Sequence, residues 1–391
     1  MMDAMVRSDS RFLTTHVGSL PRPAALRELL LRDEAGEDVD REELHGEAMA
    51  AVAAIIDKQR ECGIDVISDG EQPRVSFHAY VAQRMNGFGG VSERPEPSEF
   101  KEFPLYAEFS RRTNFAAKAK NFDAPRAVDE VSYDDTSRVD EECDIFSACL
   151  SQAEGAPADV FMTAASPGIV STVCQNAYYA SHEEYVLALA REMKTEYDRI
   201  ASAGFILQVD SPDLAMERGW EFAEMTDAEY LDVVRIHIEA INLATRDIPR
   251  ERIRLHCCWG NYGGPHVHDV ELEMILPLLY EANVGAISLP LANPRHEHEH
   301  RAFRTSPLPD SMVLIAGVID TTTNYVEHPQ AVADRIGRIV ESAGDPTRVL
   351  PSTDCGFGTM ADYVLVAEDV VWEKLRSLRD GAALASQRFF T

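Results

Sequence analysis

Short apolar segments of the β-strand type recur along the chain and alternate with stretches of helical periodicity. We assign eight core strands, near residues 13–19, 65–70, 159–165, 205–211, 253–259, 284–291, 312–319 and 348–354. Strands that alternate with helices predict a parallel sheet with crossover helices. Eight such units favour an α/β fold of the (β/α)₈ TIM-barrel type over an open sheet.

The helical stretches are recognised by apolar residues that are three or four positions apart. Residues 41–62 show this spacing at Ala48, Val52, Ile55 and Ile56. The same pattern predicts helices at residues 182–203, 227–246, 269–281, 328–343 and 361–379. Ser181, Asp227 and Asp269 stand where side chains that cap helix N-termini are expected.

One connection is too long for a simple barrel. Residues 84–135 contain glycine, proline, aromatic and charged residues without helical periodicity. We interpret them as an insertion after the second strand that includes short antiparallel strands. Residues 1–11 are expected to be a loose N-terminal extension. The whole chain, residues 1–391, is then one barrel domain.

Composition and charge restrict the class of protein. Hydrophobic residues make up 45% of the chain and charged residues 26%, as in ordinary soluble proteins. The net charge of −29 argues against nucleic acid and anionic membranes as partners. No signal peptide or apolar membrane-length run is evident, and seven scattered cysteines suit a reducing cytoplasm. We therefore expect a cytoplasmic protein, with a homodimer as the commonest assembly.

Polar residues lie at the C-terminal ends of all eight assigned strands. They are His16 and Ser19, Asp69 and Glu71, Ser166, Asp210 and Asp213, His256 and Cys258, Asn293 and His296, Asp320, and Asp354 and Cys355. Barrel enzymes carry their chemistry at the C-terminal ends of the strands. These side chains are therefore expected to face one site.

Three of these residues have the chemistry of metal ligands. His256 and Cys258 are two positions apart on the fifth assigned strand, so they point the same way and Cys257 points away. Cys355 ends the eighth strand. Two thiolates and an imidazole suit Zn²⁺ and leave a fourth position for substrate. The alternative is that the cysteines are buried as small apolar side chains.

Several motifs in combination resemble the cobalamin-independent methionine synthase family. They are Thr15–Arg22, Ser68–Glu71, Gln208–Asp210, His256–Gly260, Asn293–Glu299 and Asp354–Gly356. The resemblance is strongest to short single-barrel members, including proteins similar to epoxyalkane:coenzyme M transferases. It implies that His256, Cys258 and Cys355 bind zinc, and that a thiol substrate joins the metal as a thiolate. A free thiol ionises only weakly at pH 7, because its pKa is about 8.5.

The resemblance also implies roles for four substrate-binding residues. Glu71 and Asp210 match positions that hold the amino group of homocysteine, although pairing with Arg74 or Arg22 would make them structural. The end of the first strand, with His16 and Ser19, matches the region near the substrate carboxylate. The alternative for Ser19 is an ordinary turn residue.

The sequence departs from the family at two positions. A glutamate that often serves as a further zinc ligand is replaced by Pro290, so three protein ligands remain. A histidine suited to proton delivery is replaced by Thr321. The neighbouring Asp320 is then the candidate acid or base, or alternatively a helix or turn cap.

A histidine-rich tract, His266, His268, His296, His298 and His300, accompanies these motifs. Such tracts sometimes bind metal, but we expect hydrogen-bonded scaffold roles for all five.

The leading function is zinc-dependent transfer of an alkyl group, in particular methyl, from an unnamed donor to a small thiol such as homocysteine. Such an enzyme would be a methyltransferase of methionine biosynthesis. One alternative is the addition of a thiol to an epoxide-like electrophile. Others are a metal-independent lyase or decarboxylase on the same barrel, and a zinc- or thiol-binding protein without catalysis.

Overall fold

The computed structural model describes residues 5–113 and 124–390. Its strands are β1 (Val66–Ser68), β2 (Asn86–Gly89), β3 (Arg126–Ser132), β4 (Asp159–Ala165), β5 (Ile206–Asp210), β6 (Ile253–His256), β7 (Ala286–Leu289), β8 (Val313–Ile319) and β9 (Val349–Thr353). Seven of them form one parallel sheet in the order β1-β4-β5-β6-β7-β8-β9. The sheet curls, and helices cover its outer face. The predicted α/β fold of the TIM-barrel type is confirmed.

The predicted first strand, residues 13–19, differs from the others. It is extended but forms no regular strand. Thr15 N donates to Pro351 O at 3.0 Å, and Val66 N donates to Thr14 O at 3.0 Å. The segment thus lies between β9 and β1, where it bridges the two edges of the sheet. Its ladder stops early because Val17 N and Gly18 N donate to the side chains of Thr353 and His16 instead.

Helices lie between the strands, as the periodicity predicted. They are α1 (Ala24–Glu34), α2 (Arg41–Cys62), α3 (Val81–Arg84), α4 (Glu99–Glu102), α5 (Pro104–Arg112), α6 (Ser137–Gln152), α7 (Pro167–Val173), α8 (His182–Ser202), α9 (Asp227–Ala244), α10 (Leu272–Leu279), α11 (Ala302–Thr305), α12 (Pro329–Ala343) and α13 (Glu368–Phe389). None of the helices in the described ranges has both the length and the apolar character needed to cross a membrane.

The three proposed N-caps have different outcomes. Ser181 caps α8 and accepts from Glu184 N at 3.1 Å, as predicted. The cap of α9 is Thr226 rather than Asp227, because Thr226 forms a capping box with the residue three positions on. Asp269 is no cap, since α10 begins at Leu272 and Asp269 instead accepts from two histidine rings.

Both limits of the last helix were also wrong, since it ends at Phe389 rather than at residue 379. The last helix begins at Glu368 rather than at residue 361, because Met360 and Tyr363 form an isolated antiparallel bridge before it. A bridge of this kind depends on contacts that helical periodicity does not report.

The long connection after β1 contains the antiparallel strands that the sequence predicted. Strands β2 and β3 pair antiparallel, with Asn86 opposite Ser132 and Gly89 opposite Arg126. The short helices α4 and α5 lie between them and were not predicted. Residues 114–123 of the predicted insertion lie outside the described residues.

The N-terminal extension is not loose over residues 5–11. Met5 is buried against Val66, Phe161 and other side chains in the interior of the barrel. Ser8 N donates to Thr347 O at 3.0 Å, and the Ser8 hydroxyl donates to Val349 O. Met5 therefore closes the end of the barrel opposite the candidate site. The prediction failed because an isolated apolar residue gives no periodic signal. Residues 1–4 lie outside the described part of the chain.

Candidate functional site

A cavity of about 110 Å³ opens at the C-terminal ends of the sheet strands. We call it the first cavity. The residues predicted for the site that line it are Ser19, Glu71, Asp210, His256, Cys258 and Cys355. Phe77, Met216, Trp220, Tyr262 and Met360 contribute apolar surface. The cavity is therefore mostly apolar, with polar groups at a few positions, as is usual for small-molecule sites.

His256, Cys258 and Cys355 bring their ligand atoms within 4.8 Å of one another. His256 is the last residue of β6, and Cys258 follows two positions later on the same side. Cys257 points away into the core, as the alternation predicted. Cys355 arrives from the end of β9. All three side chains are buried, and this donor set of two sulfurs and one nitrogen is the kind that zinc prefers.

The two cysteines of this cluster differ in acidity. A hydrogen bond from Cys355 holds the pKa of the Cys258 thiol well below its usual value, and His256 adds to the effect although burial opposes it. The same contact, together with burial, raises the pKa of Cys355 well above the usual range. The His256 ring is oriented by Ser288, whose Oγ lies 3.3 Å from Nδ1. A backbone hydrogen bond from Gly260 also lowers the pKa of Cys258, so the protein presents one thiolate-prone sulfur.

Glu71 and Asp210 place two carboxylates on the wall of the same cavity. Burial raises the pKa of Glu71 to about 7. Burial, and then the proximity of Glu71, raises the pKa of Asp210 well above its usual range. Glu71 Oε1 accepts from Thr163 at 3.1 Å, whereas the buried Oε2 has no hydrogen-bond partner. An unsatisfied carboxylate oxygen beside a second carboxylate forms a site for a cation or a hydrogen-bond donor.

Neither carboxylate is neutralised by the arginines that the sequence offered as partners. Arg74 binds Glu142, with Nη2 at 2.9 Å from Oε2. The Arg22 guanidinium donates to the backbone carbonyl of Glu71 rather than to its carboxylate. Asp210 Oδ1 accepts from Gln208 Nε2 at 2.7 Å. Neither carboxylate is therefore paired with an arginine, and both side chains remain available to a ligand in the cavity.

The segment before α1 brings Ser19 to the cavity but not His16. The Ser19 hydroxyl accepts from Gly358 N at 3.3 Å and lies at the cavity wall. His16 is buried, with Nε2 2.6 Å from Gln59 Oε1. Burial lowers the pKa of His16 to about 4, so its ring is neutral at pH 7. Gly18, at φ 144°, leaves room for Glu71, since a Cβ there would lie 2.6 Å from Oε1.

Comparisons with known proteins find chains that are similar to this one. The family model described as cobalamin-independent synthase, catalytic domain, matches residues 12–99. A methionine synthase from Saccharolobus solfataricus is 24% identical over 96% of this chain and 95% of that protein. The resemblance to the cobalamin-independent methionine synthase family is confirmed.

Two further relatives extend the comparison. A 2-hydroxypropyl-CoM lyase from Xanthobacter autotrophicus is 24% identical over 95% of this chain and 94% of that protein. The solved structure of a B12-independent methionine synthase from Shewanella sp., in complex with selenomethionine, has the same fold. Its TM-score is 0.72 at 21% identity, over 97% of this chain and 98% of that chain.

Pro290, which stands where the resemblance implies a glutamate, lines a second cavity of about 240 Å³. This second cavity also touches Cys355, Asn261 and Tyr262, which line the first cavity as well. Cys355 therefore stands in the wall between two spaces. No sequence pattern indicates this arrangement, because the wall is assembled from residues far apart along the chain.

Asp320 and Thr321 belong to the second cavity rather than the first. The Asp320 carboxylate accepts from Thr322 N at 2.9 Å, from the Thr322 hydroxyl at 2.8 Å and from the Thr323 hydroxyl at 3.0 Å. Such bonds are those of a turn cap. Thr321 Oγ1 donates to Asn261 Oδ1 at 2.8 Å. The structure thus does not bring Asp320 to the cavity that holds Glu71 and Asp210.

The histidine-rich tract divides between buried and exposed positions. His266 and His296 are buried and both contact Asp269, whereas the half-buried His268 and the exposed His298 pair with glutamates. Burial opposes protonation, but the bonds to Asp269 raise the pKa of His266 and of His296. His300 Nδ1 lies 2.9 Å from Ser342 Oγ. All five rings have polar partners, and two of them line the second cavity.

Proposed function

We propose that this protein transfers an alkyl group, in particular a methyl group, to a small thiol such as homocysteine, at a zinc ion held by His256, Cys258 and Cys355. The observation that carries the proposal is the convergence of these three ligand atoms within 4.8 Å at the wall of a cavity. The donor set fits the ion, since two buried sulfurs and one buried imidazole match catalytic zinc sites with three protein ligands.

Bound zinc would lower the pKa of an entering thiol and keep its sulfur nucleophilic. The reaction forms a bond between this sulfur and the alkyl carbon, while the leaving group departs with the electron pair of its former bond to that carbon. The thiol proton must leave before or during this step. Apolar side chains such as Phe77, Met216 and Trp220 exclude water from the sulfur, which favours attack on carbon over solvation of the thiolate.

The carboxylates of Glu71 and Asp210 favour a thiol that carries an ammonium group. Their side chains lie on the same cavity wall as the sulfur cluster and have no arginine partner. An amino acid such as homocysteine would satisfy the free Oε2 of Glu71 with an N–H donor. This charge pattern supports homocysteine over an anionic thiol, because a sulfonate would meet two carboxylates.

The second candidate is the addition of a thiol to an epoxide. The 2-hydroxypropyl-CoM lyase that resembles this chain over most of both lengths favours it. This reaction requires a proton for the alkoxide that forms when the C–O bond breaks. Thr321 and Asn261, whose side chains are bonded 2.8 Å apart, are polar groups that line the second cavity together with Cys355.

Zinc content tests the proposed centre. Cys258→Ser is expected to lower the zinc content of the purified protein by one equivalent per chain, measured by inductively coupled plasma mass spectrometry. Cys149→Ser is the matched control, since Cys149 is also buried but contacts Met49 O, far from the cluster. Equal zinc in wild type and Cys258→Ser would contradict the proposal.

The nature of the nucleophile requires a second measurement. X-ray absorption at the zinc edge during a titration with homocysteine is expected to show one additional sulfur neighbour. Product analysis by mass spectrometry then separates the two candidates, because methyl donors and epoxides give different thioethers from the same thiol. A metal environment that is unchanged by saturating thiol would refute sulfur activation.

A further inference from the structure

His266, Asp269 and His296 form a second group of ligand-type side chains, apart from the sulfur cluster. Their possible ligand atoms lie within 4.8 Å of one another. His266 Nδ1 is 2.9 Å and His296 Nε2 is 2.8 Å from the same oxygen, Asp269 Oδ2. His266 and Asp269 belong to the loop after β6, and His296 to the loop after β7. Two loops therefore converge on one carboxylate oxygen.

Each of these rings also faces an acceptor on its other nitrogen. His266 Nε2 lies 3.1 Å from Tyr262 O, and His296 Nδ1 lies 3.5 Å from Glu299 Oε1. A neutral imidazole has one N–H and one lone pair. Whichever nitrogen carries the hydrogen, the lone pair of a neutral ring is directed at an oxygen. A cation between the inner nitrogens and Asp269 removes this repulsion.

The outer contacts are those expected around a metal site. Histidines that bind metals usually donate their other N–H to a backbone carbonyl or to a carboxylate. Tyr262 O and Glu299 supply one of each. Glu299 is itself fixed, since both of its carboxylate oxygens accept from Leu272 N at 3.1 Å.

The two rings are also held in place. His296 stacks on Trp259 with 4.1 Å between ring centroids and an angle of 18° between their planes. His266 adopts a left-handed backbone, φ 53°, which is uncommon for a residue other than glycine. Strained backbone of this kind concentrates at binding sites. The arrangement is therefore built to aim both rings at one point.

We propose that His266, Asp269 and His296 bind a divalent transition-metal cation such as Zn²⁺ or Fe²⁺. Two imidazoles and one carboxylate suit these ions and leave positions open for further ligands. His266 and His296 line the second cavity, whose wall also includes Cys355. Oxygen donors such as water or a carboxylate are the expected additional ligands. This site is separate from the proposed zinc centre and does not depend on it.

Metal stoichiometry in matched variants tests the proposal. The full-length protein is purified without chelator, loaded with excess Zn²⁺ and desalted, and its zinc is measured by mass spectrometry. Asp269→Asn keeps the shape of the side chain but removes its charge. His268→Gln is the control, because His268 belongs to the same tract but pairs with Glu102 at the surface. We expect two equivalents in wild type and in His268→Gln, and one in Asp269→Asn.

Cobalt spectroscopy separates this site from the sulfur cluster. Co²⁺ bound by cysteine has an intense thiolate-to-metal charge-transfer band, whereas Co²⁺ bound by two imidazoles and a carboxylate does not. Cys258→Ser is expected to lose the charge-transfer band and to retain one equivalent of Co²⁺, bound at the second site. Asp269→Asn is expected to lack this equivalent. If the sulfur cluster binds no metal but the second site does, the charge-transfer band is absent from wild type and Asp269→Asn still loses metal. The proposed function then fails while this proposal stands.

One result overturns the proposal directly. Wild-type protein that binds only one Co²⁺, with a charge-transfer band and a stoichiometry unchanged by Asp269→Asn, would show that the two rings are protonated and merely hydrogen-bonded to Asp269. His266→Gln serves as a second variant if Asp269→Asn does not fold. The wild-type measurement is decisive without either variant, since a second equivalent lacking thiolate character must be present.

Discussion

Glu71→Gln is the sharpest test of how the first cavity selects its thiol. The exchange keeps the shape of the side chain and removes its charge. In the wild type, Oε1 is occupied by Thr163 at 3.1 Å and Oε2 is free to meet an ammonium group. A hydrogen bond to a charged group contributes about 1.5–3 kcal/mol, which corresponds to about a 10- to 150-fold change in affinity.

The assay compares two thiols that differ only in the amino group. Homocysteine and 4-mercaptobutanoic acid are titrated into wild type and Glu71→Gln at pH 8, where a carboxyl group with a pKa of about 7 is ionised. Glu71→Gln is expected to lower the affinity for homocysteine by the factor above. The affinity for 4-mercaptobutanoic acid should change by less than about threefold, since this ligand has no amino group to contact Glu71. Isothermal titration calorimetry measures both.

The same variant has an opposite effect on stability. The folded state raises the pKa of Glu71 from 4.5 to about 7, so ionisation favours the unfolded chain. The resulting loss of stability is absent below pH 4.5, grows as the pH rises to 7, and reaches about 3 kcal/mol. Glu71→Gln should therefore unfold at higher urea than wild type at pH 8. Equal losses of affinity for both thiols, or a variant less stable than wild type, would refute the reasoning.

Three further predictions concern the scaffold. Gly168→Ala is expected to lower the free energy of unfolding by about 2–4 kcal/mol in urea titrations, because a Cβ there would lie 2.0 Å from Asp213 Oδ2. Gly46→Ala, where a Cβ on α2 meets no atom within 4 Å, is the control and should stabilise by about 0.5–1 kcal/mol. His16, whose pKa is lowered to about 4 in the folded state, should contribute stability above pH 6.5 that is lost as the pH falls towards 4. If the free energy of unfolding of His16→Gln falls as steeply between pH 6.5 and 4 as that of wild type, this prediction is wrong. Asp320→Asn should lower the melting temperature, because the turn loses its cap, and should leave the pH profile of kcat unchanged. If the variant loses one limb of that profile, Asp320 acts as an acid or base instead.

The sequence predicted the repeating parts of the fold well. Helix α2 was predicted with its observed limits, because its apolar residues keep the three- and four-residue spacing over a long stretch. The prediction was less successful where side chains compete with backbone. Asp269 looked like a helix cap, but two histidines from different loops compete for its carboxylate. Similarly, the segment 13–19 has strand-like residues, yet side-chain bonds end its ladder early.

In the candidate site, too, local geometry was predicted well and the choice of partners was not. Strand alternation in the sequence correctly separated His256 and Cys258 from Cys257, because that geometry is local. Whether Glu71 keeps a free oxygen depends on Arg74, which binds Glu142 on α6 instead. The second cavity depends on residues from at least three loops. Spacing along the chain carries no information about such choices of partner.

The hydrogen bonds of Asp354 have a consequence for how this centre can evolve. Its carboxylate accepts from the backbone of Leu291, Ala292 and Asn293 at 2.8–3.0 Å, so the loop after β7 is anchored from the strand that carries Cys355. Pro290 lies just before these amides and supplies none of the bonds. Exchanging this one residue is therefore expected to leave the path of the loop unchanged. A lineage can gain or lose a carboxylate beside the sulfur cluster through one codon, and alter the chemistry without rebuilding the barrel.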